Sequence, residues 1–136
     1  RIDYINKGKL TKKIYKNEKL LIDGCHSETS ATNLANYLRT LKFPIYGIWA
    51  MTKNKDPDKF IKKFKGIFTK IVTIPIENET AAFSNQLLFK IAKKNKYNSE
   101  KSKNFEEALK KISSKEKKII CCFGSLYSAG NILNKN

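Results

Sequence analysis

Leu20-Leu21-Ile22-Asp23-Gly24-Cys25-His26-Ser27 decides how this chain is read. Three aliphatic residues run directly into an acid, a glycine and a histidine, and helical spacing of apolar residues follows at once. A buried strand that ends in a polar turn and hands over to a helix is where open α/β sheets place their ligands. Gly24 lets the backbone turn tightly, and the amides that open the next helix suit an anion. Asp23 and His26, three residues apart on this turn, are expected to reach the same ligand.

On both sides of the turn, β and α patterns alternate, the signature of a layered α/β domain. Ala31, Leu34, Ala35, Leu38 and Leu41 mark one face of a helix over 28–42. Pro44 to Met51 (PIYGIWAM) is mostly apolar and reads as a buried strand. Asp56-Pro57 supplies an N-cap and a first-turn proline for a helix that buries Phe60, Ile61 and Phe64. Lys70 to Ile76 (KIVTIPI) is the next strand, with Pro75 near its end. Ser84 caps a helix carrying Leu87, Leu88, Ile91 and Ala92, and the lysine-rich stretch 93–103 is expected to be an exposed loop. Asn104 with Glu107 resembles a capping box before Phe105, Ala108, Leu109 and Ile112. Lys118 to Phe123 (KIICCF) is the last strand, and Gly124-Ser125 leads into a short helix through Leu133. Upstream, Ile2–Ile5 and Leu10–Tyr15 are expected to form an irregular β pair around Gly8.

The expected architecture is one three-layer, Rossmann-like α/β domain over residues 1–136, with a mostly parallel sheet. In a parallel sheet the strand ends at Asp23 and Gly124 lie on one rim. His26 and Ser125 are then expected to share a site between two helix N-termini, with Lys55 close by.

The bulk composition narrows the function classes. At 136 residues and 40 % apolar content the chain can bury a core. No apolar run reaches membrane-spanning length and no charged-then-apolar leader opens the chain, so a soluble, cytoplasmic protein is expected. The chain begins at Arg1 rather than Met, which reads as a piece of something longer. The formal net charge is +16, but Arg1 and Arg39 are its only arginines. Base readout and bidentate phosphate contacts favour arginine, so the charge is read as solvated lysine surface in an Asn- and Ile-rich chain. Cys25, Cys121 and Cys122 have neither the number nor the spacing of a disulfide or zinc framework, and read as small buried apolar residues.

Set in order, Arg1, LLIDGCHS at 20–27, IWAM at 48–51 with Lys55-Asp56, Pro75-Ile76, and GSLYSAG at 124–130 form a pattern spanning the whole chain. It resembles the C-terminal domain of the folylpolyglutamate synthase/dihydrofolate synthase family, a branch of the Mur-ligase-like ATP-dependent amide ligases. The resemblance implies a Mur-ligase C-terminal fold and a ligase that phosphorylates a pterin-bearing carboxylate with ATP. Glutamate's amine then attacks the acyl phosphate, and phosphate leaves. It also implies that Arg1 and Asp23 contact the nucleotide, and that His26, Ser125 and, more remotely, Lys55 serve the incoming glutamate.

No GxxxxGK[ST] segment is present. In the family it resembles, the P-loop and magnesium ligands belong to an N-terminal domain, so the resemblance implies that ATP and Mg2+ are held mainly by an N-terminal P-loop domain absent from this chain. That domain, folate or dihydropteroate, and glutamate are the implied partners, in a monomer with no membrane or nucleic-acid role. The chain departs from the family pattern at three places: Ser27 replaces Asn, Ala50 replaces Gly before Met51, and Asn131 replaces an acid. Two other readings stand beside the ligase. One is a basic nucleic-acid-binding module resting on the lysine runs at 62–65 and 93–96, and the other is a non-catalytic remnant or split subunit.

Overall fold

The computed structural model describes residues 2–136. Six strands form one sheet: β1 (Ile2–Ile5), β2 (Glu18–Asp23), β3 (Ile45–Trp49), β4 (Phe68–Thr73), β5 (Ser99–Lys101) and β6 (Lys118–Phe123), in the order β1-β2-β6-β3-β4-β5. All pairings are parallel except β1 with β2. Helices α1 (Glu28–Arg39), α2 (Pro57–Lys62), α3 (Asn85–Lys94) and α4 (Phe105–Ile112) connect β2 through β6 in turn, and α5 (Leu126–Asn134) follows β6. The expected three-layer α/β architecture is the one observed.

Alternation along the strands divides the core in two. Leu21, Trp49, Ile71, Cys121 and Phe123 pack under α1, α2 and α3. Leu20, Ile22, Ile48, Val72, Ile120 and Cys122 pack under α4 and α5 on the other face. The division follows from connection handedness: right-handed crossovers place successive helices on one face until the strand order reverses, and the return from β5 to β6 uses the opposite face. On the first face, Phe123 stacks on Phe68 at 4.8 Å between centroids. Gly47 leaves the space for that pair, since a Cβ there would sit 2.9 Å from Phe123 and 3.1 Å from Phe68.

The helix starts match their residues. Asp56 Oδ1 accepts from the amides of Asp58 and Lys59 at 3.1 Å, with Pro57 in the first turn. Ser84 and Asn104 cap α3 and α4 through the amides of Leu87 and Glu107. The reciprocal capping box, however, is at α1, where Ser27 and Ser30 bond each other's backbone amides.

Four expectations are corrected. Residues 93–103 are not a loop: α3 runs to Lys94, and β5 pairs with β4 through Ile71↔Ser99 to Thr73↔Lys101. A sheet edge needs backbone ladder bonds and not an apolar face on both sides, so a lysine-rich segment serves there. The Leu10–Tyr15 strand is absent: β1 pairs with β2 instead, and Lys9–Lys13 winds into a short 3-10 helix that drives Leu10 into the core. Helix α1 stops at Arg39 rather than residue 42. Strand β4 is shifted two residues upstream and ends before Pro75, which has no N–H to give the ladder.

One interaction was not foreseen from the sequence. Glu18 and Lys118, paired in register where β2 and β6 begin, form a buried ion pair at 3.0 Å. Glu18 also accepts from the Ser113 hydroxyl and from the amides of Tyr15 and Ser114. Burial pushes the Glu18 carboxyl up, but the bonds from Ser113, Tyr15, Ser114 and Lys118 outweigh it and hold the group below the ordinary 4.5. Its stabilising contribution is present above that value and is lost as pH falls through the lower, folded one. Glu18→Ala leaves a buried ammonium unpaired and is expected to cost about 3–5 kcal/mol in urea unfolding. Adding Lys118→Met should recover a large part of the loss.

Candidate functional site

Strands β2, β6 and β3 are in register, Ile22 against Cys122 and Cys122 against Ile48, so all three end at one rim. The chain leaves that rim through Gly24-Cys-His26, Gly124-Ser125 and Ala50–Lys55. These loops enclose a cleft of about 220 Å³ lined by His26, Thr52, Asn54, Lys55, Ser125, Leu126 and Tyr127. His26, Ser125 and Lys55 therefore lie together, contributed by three different strand ends.

Each is held by its neighbours. His26 Nδ1 lies 3.0 Å from the Gly24 carbonyl, which can only accept, so Nδ1 carries a proton and Nε2 is left for a ligand. The His26 amide donates to Ser30 Oγ at 3.1 Å, anchoring the residue to the first turn of α1. Ser125 is buried, and its Oγ accepts from the amides of Tyr127 and Ser128 at 3.1 and 3.2 Å, which makes it the N-cap of α5. Its hydroxyl proton is what it can offer to the cleft. Lys55 immediately precedes the Asp56 cap of α2, so the start of that helix sets its place. The serine caps also occupy amides at both helix ends, leaving less free anion-binding capacity there than the sequence suggests.

Asp23 and His26 line different cavities. It is 3 % exposed, its Oδ1 accepts from the Cys25 amide at 2.7 Å, and it lines a different cavity of about 280 Å³ with Ile2, Ser30, Asn33 and Leu34. Burial and this bond make Asp23 part of the turn itself. Asp23→Ala is therefore expected to lower stability in chemical denaturation. Arg1 lies outside the described residues. Cys25 is buried, and burial followed by the nearby Asp23 charge pushes its thiol well above the ordinary range, so it is no nucleophile. Thr52, Asn54, Leu126 and Tyr127 were not singled out as site residues from sequence. Leu126 and Tyr127 fall within the GSLY motif, whereas nothing in the pattern marked Thr52 or Asn54.

A model of the family described as dihydrofolate synthetase, C-terminal domain, matches residues 6–135. The chain belongs to this family. The fold agrees: the folylpolyglutamate synthase of Mycobacterium tuberculosis, complexed with ADP and AMPPCP, superimposes with a TM-score of 0.77 at 18 % identity, over 86 % of this chain and 29 % of that one. The folylpolyglutamate synthase of Thermotoga maritima gives 0.73 at 21 % identity, over 88 % and 28 %. The bifunctional folylpolyglutamate synthase/dihydrofolate synthase of Yersinia pestis, complexed with AMPPNP and a Mn ion, gives 0.75 at 15 %, over 90 % and 29 %. The chain thus spans less than a third of the length of these solved proteins. A search of curated protein sequences finds no match.

In this member of the family the three departures have visible surroundings. Ser27 is the α1 cap, and Asn131 donates to the Glu77 carbonyl at 3.3 Å. Ala50 is buried with its carbonyl against Gly124. Gly124 has φ +109°, and a Cβ there would collide with that carbonyl and approach Trp49 Cδ1 to 2.7 Å. Gly124→Ala is accordingly expected to lower stability by about 2–4 kcal/mol in chemical denaturation, because it adds a forbidden dihedral to a backbone collision.

Proposed function

We propose that this chain is the C-terminal domain of an ATP-dependent folate amide ligase that joins glutamate to dihydropteroate, to folate or to both through an acyl phosphate. The convergence of His26, Lys55 and Ser125 on one rim cleft, in a chain of the dihydrofolate synthetase domain family, carries this reading. In the reaction, ATP phosphorylates the acceptor carboxylate, the glutamate amine attacks the acyl phosphate, and phosphate departs. The Lys55 ammonium pairs with a glutamate carboxylate, while His26 Nε2 and the Ser125 hydroxyl hold the amino acid in an attacking position.

Asp23 and Arg1 serve the nucleotide side, Asp23 by way of the turn that it fixes. Among the described residues no group of three or more His, Cys, Asp or Glu is placed to hold a metal ion. These residues do not fit a divalent cation; in this reading Mg2+ and the phosphate cradle belong to an N-terminal P-loop domain of the same polypeptide, next to a single C-terminal domain over 1–136. That solved relatives are complexed with ADP, AMPPCP or AMPPNP and a Mn ion, and an E. coli relative with DHPP and ADP, supports use of ATP and a metal by the ligase. Among the described residues no helix is long and apolar enough to cross a membrane.

Residues 1–136 alone should show no enzyme-like ATP turnover in a phosphate-release assay; an enzyme-like rate would refute the half-site reading. In the full-length ligase, His26→Ala should raise KM for glutamate about tenfold or more and leave KM for ATP nearly unchanged. Unaltered glutamate kinetics would leave His26 only its bond to the Gly24 carbonyl.

A further inference from the structure

The two lysine runs, 62–65 and 93–96, are 31 residues apart in sequence, yet they meet at the end of the sheet opposite the His26 cleft. There the C-terminal ends of α2 and α3 flank the start of β4 and enclose a cavity of about 590 Å³. Its apolar lining is Ile61, Phe68 and Tyr97, all buried. Lys62, Lys65, Lys94 and Lys96, all exposed, line it as well. The Tyr97 hydroxyl is spent on the Phe64 carbonyl, so the tyrosine brings an aromatic wall rather than a free polar group.

The charge around this cavity is unbalanced. Lys62 and Lys94 share one acid, Asp58. Arg39, bonded to the carbonyls of Lys63 and Lys65, adds its field from the rear. Lysine heads crowded round one acid repel each other, and a bound anion relieves that repulsion.

Lys96 supplies an independent sign. Its amide bonds the Lys93 carbonyl and the Tyr97 amide bonds the Ala92 carbonyl, the pattern that ends a helix through a left-handed residue. Lys96 holds that position with φ +70°, where glycine or asparagine is favoured. A side chain kept at a strained backbone position beside a cavity points to a use for that side chain.

We propose that this cavity binds a small amphiphilic anion, with an apolar ring between the lysine stems over the exposed edges of Phe68 and Tyr97 and a doubly charged phosphate or carboxylate head among Lys62, Lys65, Lys94 and Lys96. Lysine heads are mobile point charges without a fixed fork, which suits a compact multivalent anion more than a directional readout. The site lies about 20 Å from the His26 cleft, the length of one strand, and does not rest on the ligase reading.

The test is an NMR titration of residues 1–136 with 1-naphthyl phosphate at near-physiological salt, with inorganic phosphate and 1-naphthol as the charge-only and ring-only probes. Naphthyl phosphate should give saturable shifts at residues 65–68 and 94–97, at least about tenfold tighter than either half-probe. Lys65→Ala should weaken binding severalfold. Lys96→Gly should also weaken it while raising Tm, because glycine relieves the left-handed strain; a purely structural lysine would move Tm alone. Equal binding of inorganic phosphate, shifts spread over lysines elsewhere, unchanged affinity in both variants, or tighter binding of a random oligonucleotide at these residues would overturn the proposal.

Discussion

The pairing of β6 with β2 on one side and β3 on the other is the constraint on which the rest of this molecule depends. All six residues of β6 are buried, and the strand places its neighbours in register although one precedes it by about a hundred residues. Because the three strands end level, their following loops meet and enclose the rim cleft. The return to the middle of the sheet also moves α4 and α5 to the opposite face, so both faces are covered and every central strand can be apolar on both sides.

The two ends of the sheet have different chemistry. At the start of β2 and β6, the Glu18–Lys118 pair is buried and fully bonded, a polar pin where the two strands must align. Nearby on that same edge, exposed lysines collect about an aromatic-walled cavity. At the opposite edge serine caps and a histidine tied to a carbonyl stand beside Lys55 and the exposed Leu126 and Tyr127. The tight backbone of Gly124, pressed against the Ala50 carbonyl, keeps the β6 exit close to the β3 exit.

Much of this was legible in the sequence because it is local. Apolar spacing marked the strands and helices, and Asp56-Pro57, Ser84, Asn104 and Ser125 are caps where capping residues were expected. The grouping of His26 with Ser125 was legible as well, since parallel strands place their C-terminal ends on one rim. The separation of Asp23 from His26 was not. On this turn the two side chains line different cavities, and the Cys25 amide engages one Asp23 oxygen.

By itself, the sequence determined the alternation of elements, their buried faces, the family resemblance and three of the residues on the rim. Tertiary structure alone decided that β1 pairs with β2, that Ser99–Lys101 within the lysine-rich 93–103 stretch is an edge strand, and that Glu18 finds Lys118. It also decided that two lysine runs read separately as surface charge share one cavity. The physical reason is distance along the chain. Periodicity and capping act over three or four residues, whereas strand partners, buried ion pairs and cavities join residues tens to a hundred positions apart, and only the closed sheet chooses among them.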